Sequence, residues 1–313
     1  MSVASTTLTF REVLKITALR RLWLAQLVSV FGDFLAIYAV FSVVSFKLHG
    51  SATDVSLVLV FYLLPLAVAS PVAGVFVDSW SVKRTMIASD VTRAVLFVLL
   101  LFATSLWHIY AVLLAASTVS SFFMPAQSIA VRALVPREGL MSANALIQQA
   151  FQIMQIISPA IAGLLVAAFG ANSCFALDTA SFLFSAAMIS TVMIGHQPLP
   201  ALKSLSAVWT EMGAGVRFIF THAAISFVVI SMTSGMFAIR CFGALLAVYV
   251  RDVLRGGTTL FGNLGSLIGF GMILGSPLVR FGSKKGSNSQ IVAAGLVGTG
   301  VCIGVLAAFG SIR

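Results

Sequence analysis

The chain is 313 residues long, with 59% hydrophobic and only 9% charged residues and a mean hydropathy of +1.07. A soluble protein of this size needs far more charge to cover its exterior, so a water-soluble globular domain is excluded and lipid is the expected solvent. The net charge of +10 fits the Lys and Arg excess on the inner side of membrane proteins, so no nucleic-acid partner is expected.

Taken in order, Met1 to Arg21 carries Arg11, Lys15, Arg20 and Arg21 without a short apolar core and small-residue cleavage site, so no cleavable signal is expected. A bilayer core of roughly 30 Å takes about 20 helical residues. Runs of that kind lie at 22–46, 55–77, 85–104, 108–131, 142–168, 171–194, 223–250, 258–279 and 290–310. Their unbroken apolarity predicts helices rather than barrel strands, which would alternate. Pro65, Pro71, Pro125, Pro159 and Pro277 fall inside runs, as membrane helices tolerate. Gly74 to Arg84 (GVFVDSWSVKR) is a charged joint between the second and third runs. A loop of about seven residues there predicts a tight antiparallel hairpin.

With the N-terminus inside, thirteen Lys and Arg fall on cytoplasmic segments and four on outer ones, while Arg93 and Arg240 lie within spans. That asymmetry predicts a cytoplasmic N-terminus. Segment 195–222 opens with HQPLP. It then places Leu202, Leu205, Trp209, Met212, Val216 and Phe220 at three- and four-residue steps, with Lys203, Glu211 and Arg217 for a wet side. This predicts an amphipathic helix on the cytoplasmic leaflet. The expected organisation is a six-helix bundle over 1–194, a linker over 195–222 and a partial three-helix bundle over 223–313. Gly275 to Lys285 (GSPLVRFGSKK) echoes the charged joint 201 positions later, and the same shift carries spans one to three onto spans seven to nine. Duplicated halves are a transporter architecture with the substrate site between them near the midplane. A tenth span would begin where the chain stops, so a chain lacking three helices is expected, a true nine-span protein being the other reading.

GVFVDSWSVKR resembles the charged loop between helices 2 and 3 of the major facilitator superfamily. DVTRAVL from Asp90, MPAQSIAVRALVPREGLMSANAL from Met124, SPAIAGLL from Ser158, FALDTASFLFSA from Phe175 and GVRFIFTH from Gly215 resemble its efflux branch, which includes enterobactin exporters and macrolide efflux proteins. The likeness runs from the first helix to about residue 222. It implies an all-α membrane protein of the major facilitator fold, with about nine of twelve helices. It also implies proton-coupled export of a drug-like or siderophore-like small molecule by alternating access. A monomer in the bacterial cytoplasmic membrane is expected, with no enzymatic activity and no cofactor. In that family the loop Asp joins a cytoplasmic latch, which carries over to Gly74, Asp78, Lys83 and Arg84. Ser79, Ser81 and Val82 depart from the loop pattern, and Val279 stands in place of the second-half Asp. The helix-5 antiporter pattern survives as Ser158, Pro159, Ala162 and Gly163.

Charge inside a membrane is expensive and marks function by default. Asp33 lies about 16 Å into the first span, and Gln26, Ser29 and Asp33 share one helix face. Asp33 is a proton or cationic-substrate site, or a carboxylate packed between helices. Asp90 and Arg93 are three apart in the third span, near its cytoplasmic end, and an ion pair assisting the latch is expected of them. Asp178 and Arg240 fall toward the outer half, as structural residues or as a pair between halves. Gln148, Gln152 and Gln155 form a stripe on the fifth span, suited to a wet path or to interhelical hydrogen bonding. Ser117, Thr118, Ser120 and Ser121 read as packing. Cys174, Cys241 and Cys302 sit in apolar runs and read as buried hydrophobes, and the four His do not cluster with acids at metal spacing. No phosphate-cradling loop is present. An uptake symporter of the same fold, or a membrane protein that does not transport, are the other readings.

Overall fold

The computed structural model describes residues 8–195 and 205–265, and of the remainder 267, 271, 290, 293–295, 297–302 and 304. The regular structure there is helical. A short α1 (Phe10–Lys15) precedes α2 (Thr17–Ser42), which continues as a π-helical turn, Val43–Lys47. Then come α3 (Ala52–Ser79), α4 (Val82–Leu100), α5 (Leu106–Leu134), α6 (Leu140–Phe169) and α7 (Ala171–Ser190). Helices α8 (Leu205–Thr221) and α9 (Ala223–Asp252) follow, and helix resumes over 258–265. Much of the eighth predicted span, about half of the ninth and the Gly275–Lys285 echo lie outside the described residues, as do Lys203 and the side chain of Arg240.

Local chemistry sets the boundaries. Ser51 and Asp54 cap α3 reciprocally: the Ser51 N–H donates to Asp54 Oδ2 at 2.8 Å and the Asp54 N–H to Ser51 Oγ at 3.3 Å. Gly170 alone separates α6 from α7 and adopts φ +79°, a conformation that suits glycine. Pro65, Pro71, Pro125 and Pro159 stay inside continuous helices. Ser117 and Ser121 of α5 donate to the carbonyls of Tyr62 (2.6 Å) and Pro65 (3.2 Å), hydrogen bonding α5 to the stretch of α3 around its first proline.

Helix α2 is wedged between α7 and α6, α4 lies between α5 and α7, and α3 packs on α5. Among the described residues, six helical runs are long and apolar enough to cross a membrane. Helix α4 falls short of that composition because it carries Lys83, Arg84, Asp90 and Arg93. Its mid-helix charges are buried against its neighbours. Two apolar clusters fill the bundle. One, near the N-terminus, includes Val13, Leu22, Met86, Phe123 and Ile189; the other includes Leu35, Val44, Phe97, Leu113 and Phe182. Below, the first is called the basic end and the second the far end.

The charged joint is tighter than a seven-residue loop. Only Trp80 and Ser81 separate α3 from α4, and Asp78 and Gly74 belong to α3 itself. Despite that short link the two helices do not pack as a hairpin: each finds its partners elsewhere, and they diverge. At the basic end, Lys83 Nζ donates to the Ser190 carbonyl and Arg21 Nη1 to that of Thr191 at 3.0 Å. Two cations thus close the last carbonyls of α7, where the helix dipole favours them.

Candidate functional site

Between the two apolar clusters lies a polar layer at the middle of the bundle. Asp33 stands halfway along the Thr17–Lys47 run, Asp90 and Arg93 bracket the centre of α4, and Asp178 lies close to the centre of α7. Arg93 joins them. Its guanidinium hydrogen bonds and pairs with Asp90 Oδ1 on its own helix, and lies 3.8 Å from Asp33 Oδ2 on α2. The same guanidinium sits between two rings, 4.3 Å from the centroid of Phe182 and 4.8 Å from that of Phe123. Such stacking suits the planar, weakly hydrated Arg head and not a Lys ammonium.

Asp178 is fully buried and accepts a hydrogen bond from Ser181 Oγ at 3.1 Å. It lies within electrostatic reach of Asp33, Arg93 and Asp90. Gly32 makes that approach possible: a Cβ there would collide with Asp178 Oδ1 and Ser181 Oγ. Asp90 and Asp178 are closed off completely, whereas the Asp33 side chain keeps 28% of its surface exposed. Asp33 is therefore the most exposed member of the cluster. Three carboxyl groups share one guanidinium, and Asp90 Oδ2 and Asp178 Oδ2 have no hydrogen-bond partner among the described residues. Arg93 compensates Asp90, and burying a further carboxylate without a cation of its own costs several kcal/mol.

Asp90 and Arg93 thus stand with Asp33 at depth, not beside the charged joint as the sequence led us to expect. The reason is the start of α4. Lys83 and Arg84 depress local hydropathy and make the span look as if it begins at 85, but the helix already starts at Val82. Asp178 is likewise central rather than toward the outer half. Its role in the cluster was missed because its partners lie on two other helices.

The remaining candidates do not gather into one site. Asp78 is half-buried in the last turn of α3, with no ion pair or hydrogen bond among the described residues. Gly74 faces open space, Lys83 closes α7, and Arg84 is exposed. Gln26 lies below Asp33 on α2, its Oε1 buried without a hydrogen-bond partner among the described residues, and Ser29 between them is buried. Gln148 and Gln152 of α6 are exposed and Gln155 partly so, and among the described residues no hydrogen bond joins them to Asp33. Helix α6 meets α2 through Phe151 and Phe34, whose centroids are 5.1 Å apart.

At the far end the N-terminal bundle meets the chain that follows α8. Arg251 at the end of α9 donates through Nη1 to the carbonyls of Ser45 and Gly50 (the latter at 2.9 Å), on the π-helical turn and the loop before α3. Its other donors engage Asp252. Gly262 lies flat on α6: a Cβ on Gly163 would come within 2.7 Å of its Cα, and one on Gly262 within 2.9 Å of the Pro159 carbonyl. The small-residue stretch Ser158 to Gly163 thus permits backbone contact between the halves. Nothing in the sequence marks Arg251 for this role, because its acceptors are backbone carbonyls.

Residues 10–312 match the profile of the family described as transmembrane secretion effector, whose relatives are transporters of the major facilitator type. The chain belongs to this family. An MFS-type transporter of Bacillus subtilis without an assigned activity (YfiS) is 26% identical over 254 residues, covering 80% of this chain and 60% of that protein. Macrolide efflux protein A of Streptococcus pyogenes is 24% identical over 292 residues, covering 90% of this chain and 71% of its own length. The multidrug efflux pump Tap of Mycolicibacterium fortuitum is 26% identical over 272 residues, covering 83% and 66%. The chain spans about 60–64% of the length of three such relatives of Bacillus subtilis. The fold of a bacterial homologue of the human lysosomal transporter Spinster, in an inward-facing and unoccupied conformation, superposes with a TM-score of 0.64 at 12% identity, over 84% of this chain and 63% of that one. The fold class expected from the sequence is therefore the observed one.

Proposed function

We propose that the chain is a secondary active transporter of the bacterial cytoplasmic membrane, with its N-terminus inside, exporting a drug-like small molecule in exchange for protons. The single observation that carries this reading is the mid-depth cluster of three carboxyl groups around Arg93. Asp90 is the standing counterion of Arg93, and Asp33, partly exposed, is the group that binds and releases a proton. Charge balance supports this division, since the cluster holds fewer cations than carboxyls. Efflux is favoured over uptake by the relatives named for macrolide and multidrug efflux. The Arg251 contact and the Gly163–Gly262 packing shut the far end, which fits a state open toward the basic, cytoplasmic end. Gly74, Asp78 and Arg84 remain the candidates for closing that end, and the Gln148, Gln152 and Gln155 stripe, with Gln26, for contacting the solute.

The test uses proteoliposomes loaded with a labelled macrolide under an imposed pH gradient. Wild type is expected to move the label against its gradient, with proton flow in the opposite sense. Asp33→Asn is expected to remove pH-driven movement while binding of the label persists. Unchanged coupling in that variant excludes Asp33 as the proton site, and accumulation in the same direction as the protons turns the reading into a symporter.

A further inference from the structure

The divergence of α3 from α4 leaves a cleft of about 610 Å³ at the basic end, floored by α5. Its lining includes Trp80, Ser81, Arg84, Ser89, Thr92 and Phe122 and, among the described residues, no carboxylate. Arg84 is exposed and makes no hydrogen bond or ion pair among the described residues. Trp80 lies parallel to Phe122, with centroids 5.7 Å apart and planes 11° apart, as an amphipathic ring at a membrane boundary does. From Arg84, one face of α4 continues through Ala88, Val91, Val95 and Leu99, and the last three are exposed apolar side chains. That track is about 22 Å long at 1.5 Å per residue, enough to follow an acyl chain through a leaflet of about 15 Å.

We propose that this cleft binds one anionic diacyl phospholipid, such as phosphatidylglycerol, with its phosphate at Arg84 and the cleft hydroxyls and an acyl chain along Val91, Val95 and Leu99. A free cation beside hydroxyl donors attracts a phosphodiester. The cleft offers no carboxylate to an ammonium headgroup, so its charge selects phosphatidylglycerol over phosphatidylethanolamine. The proposal rests on membrane insertion alone and is independent of what is transported.

The test reconstitutes the full chain in nanodiscs containing phosphatidylglycerol with a diazirine in one acyl chain, followed by photolysis and peptide mapping. Labelling is expected to concentrate on residues 79–99. It should fall at least fivefold there in Arg84→Gln, with labelling elsewhere unchanged as the control for folding. The phosphatidylethanolamine analogue should label this segment as weakly as the variant, and millimolar inorganic phosphate should not compete, because the acyl chain is part of the ligand. If Arg84→Gln does not insert, Ala88→Trp, which fills the cleft and keeps the charge, must produce the same drop. Equal labelling by the two lipids means ordinary boundary lipid and overturns the proposal. So does a drop on added phosphate alone, or cross-links from 79–99 to a second copy or to the C-terminal part of the chain.

Discussion

Arg93 is the hub of the buried charge cluster. It pairs with a carboxylate on its own helix, faces another on α2 and lies between two phenyl rings, with only 6% of its side chain exposed. Lysine has the charge but neither the plane nor the fork, so it cannot serve Asp33, Asp90 and both rings together. Arg93→Lys is expected to insert and fold with a modest loss of thermal stability, yet to lower pH-driven transport at least tenfold in the proteoliposome assay. Arg93→Ala leaves Asp90 buried without its counterion, and is expected to cost about 3–5 kcal/mol, visible as a large fall in melting temperature in detergent. Sequence paired Asp90 with Arg93 and showed Asp33 as a separate oddity, since a charge in an apolar run stands out by itself. That they form one group was not legible, because the contact joins positions some sixty residues apart on helices whose mutual rotation no local pattern encodes.

Helices are the scale at which the sequence was most readable. Seven of the runs it marks appear as α2 to α7 and α9, their ends displaced by a few residues, because a continuous apolar stretch in lipid has no alternative to helix. The errors cluster where charge sits at a helix end. Lys83 and Arg84 delayed the apparent start of α4 and moved its inner charges toward the boundary. Close packing decides the rest. The approach of α2 to α7 rests on the missing side chain at Gly32, which lets Asp178 and Ser181 touch the α2 backbone. Gly32→Ala forces the two helices apart or displaces Asp178. It is expected to destabilise the bundle by about 1–3 kcal/mol, read as a lower melting temperature. A tolerated alanine at unchanged stability contradicts that packing.

On the scale of the whole molecule, the charge cluster and the contact between halves are separate devices. The cluster belongs wholly to α2, α4 and α7, whereas the far-end closure joins α2, α6 and the loop before α3 to the chain from α9 onward. Helix α2 is common to both: Asp33 is at its middle, and Ser45 on its π-helical continuation accepts from Arg251. Arg251→Ala removes hydrogen bonds donated by a charged group, each worth about 1.5–3 kcal/mol. It is expected to speed amide hydrogen exchange over 44–51 and 248–256 at least tenfold, a change of about 1.4 kcal/mol or more, with exchange around Arg93 unaltered. Equal exchange in the variant and the wild type removes the clamp from the account.

The partners of Arg251 on the N-terminal bundle are peptide oxygens, and every residue supplies one. The clamp itself thus asks for no particular side chain at Ser45 or Gly50, only for the backbone path, although Gly50 is held to glycine by Val44, whose Cγ1 and carbonyl oxygen a Cβ would meet at 2.9 and 3.0 Å; the arginine has no such freedom. Residue covariation, which finds contacts by paired changes, has no second column to read here. This joint between halves is therefore written on one side only, and transplanting the α9 end onto another N-terminal bundle needs a matching backbone shape rather than matching side chains.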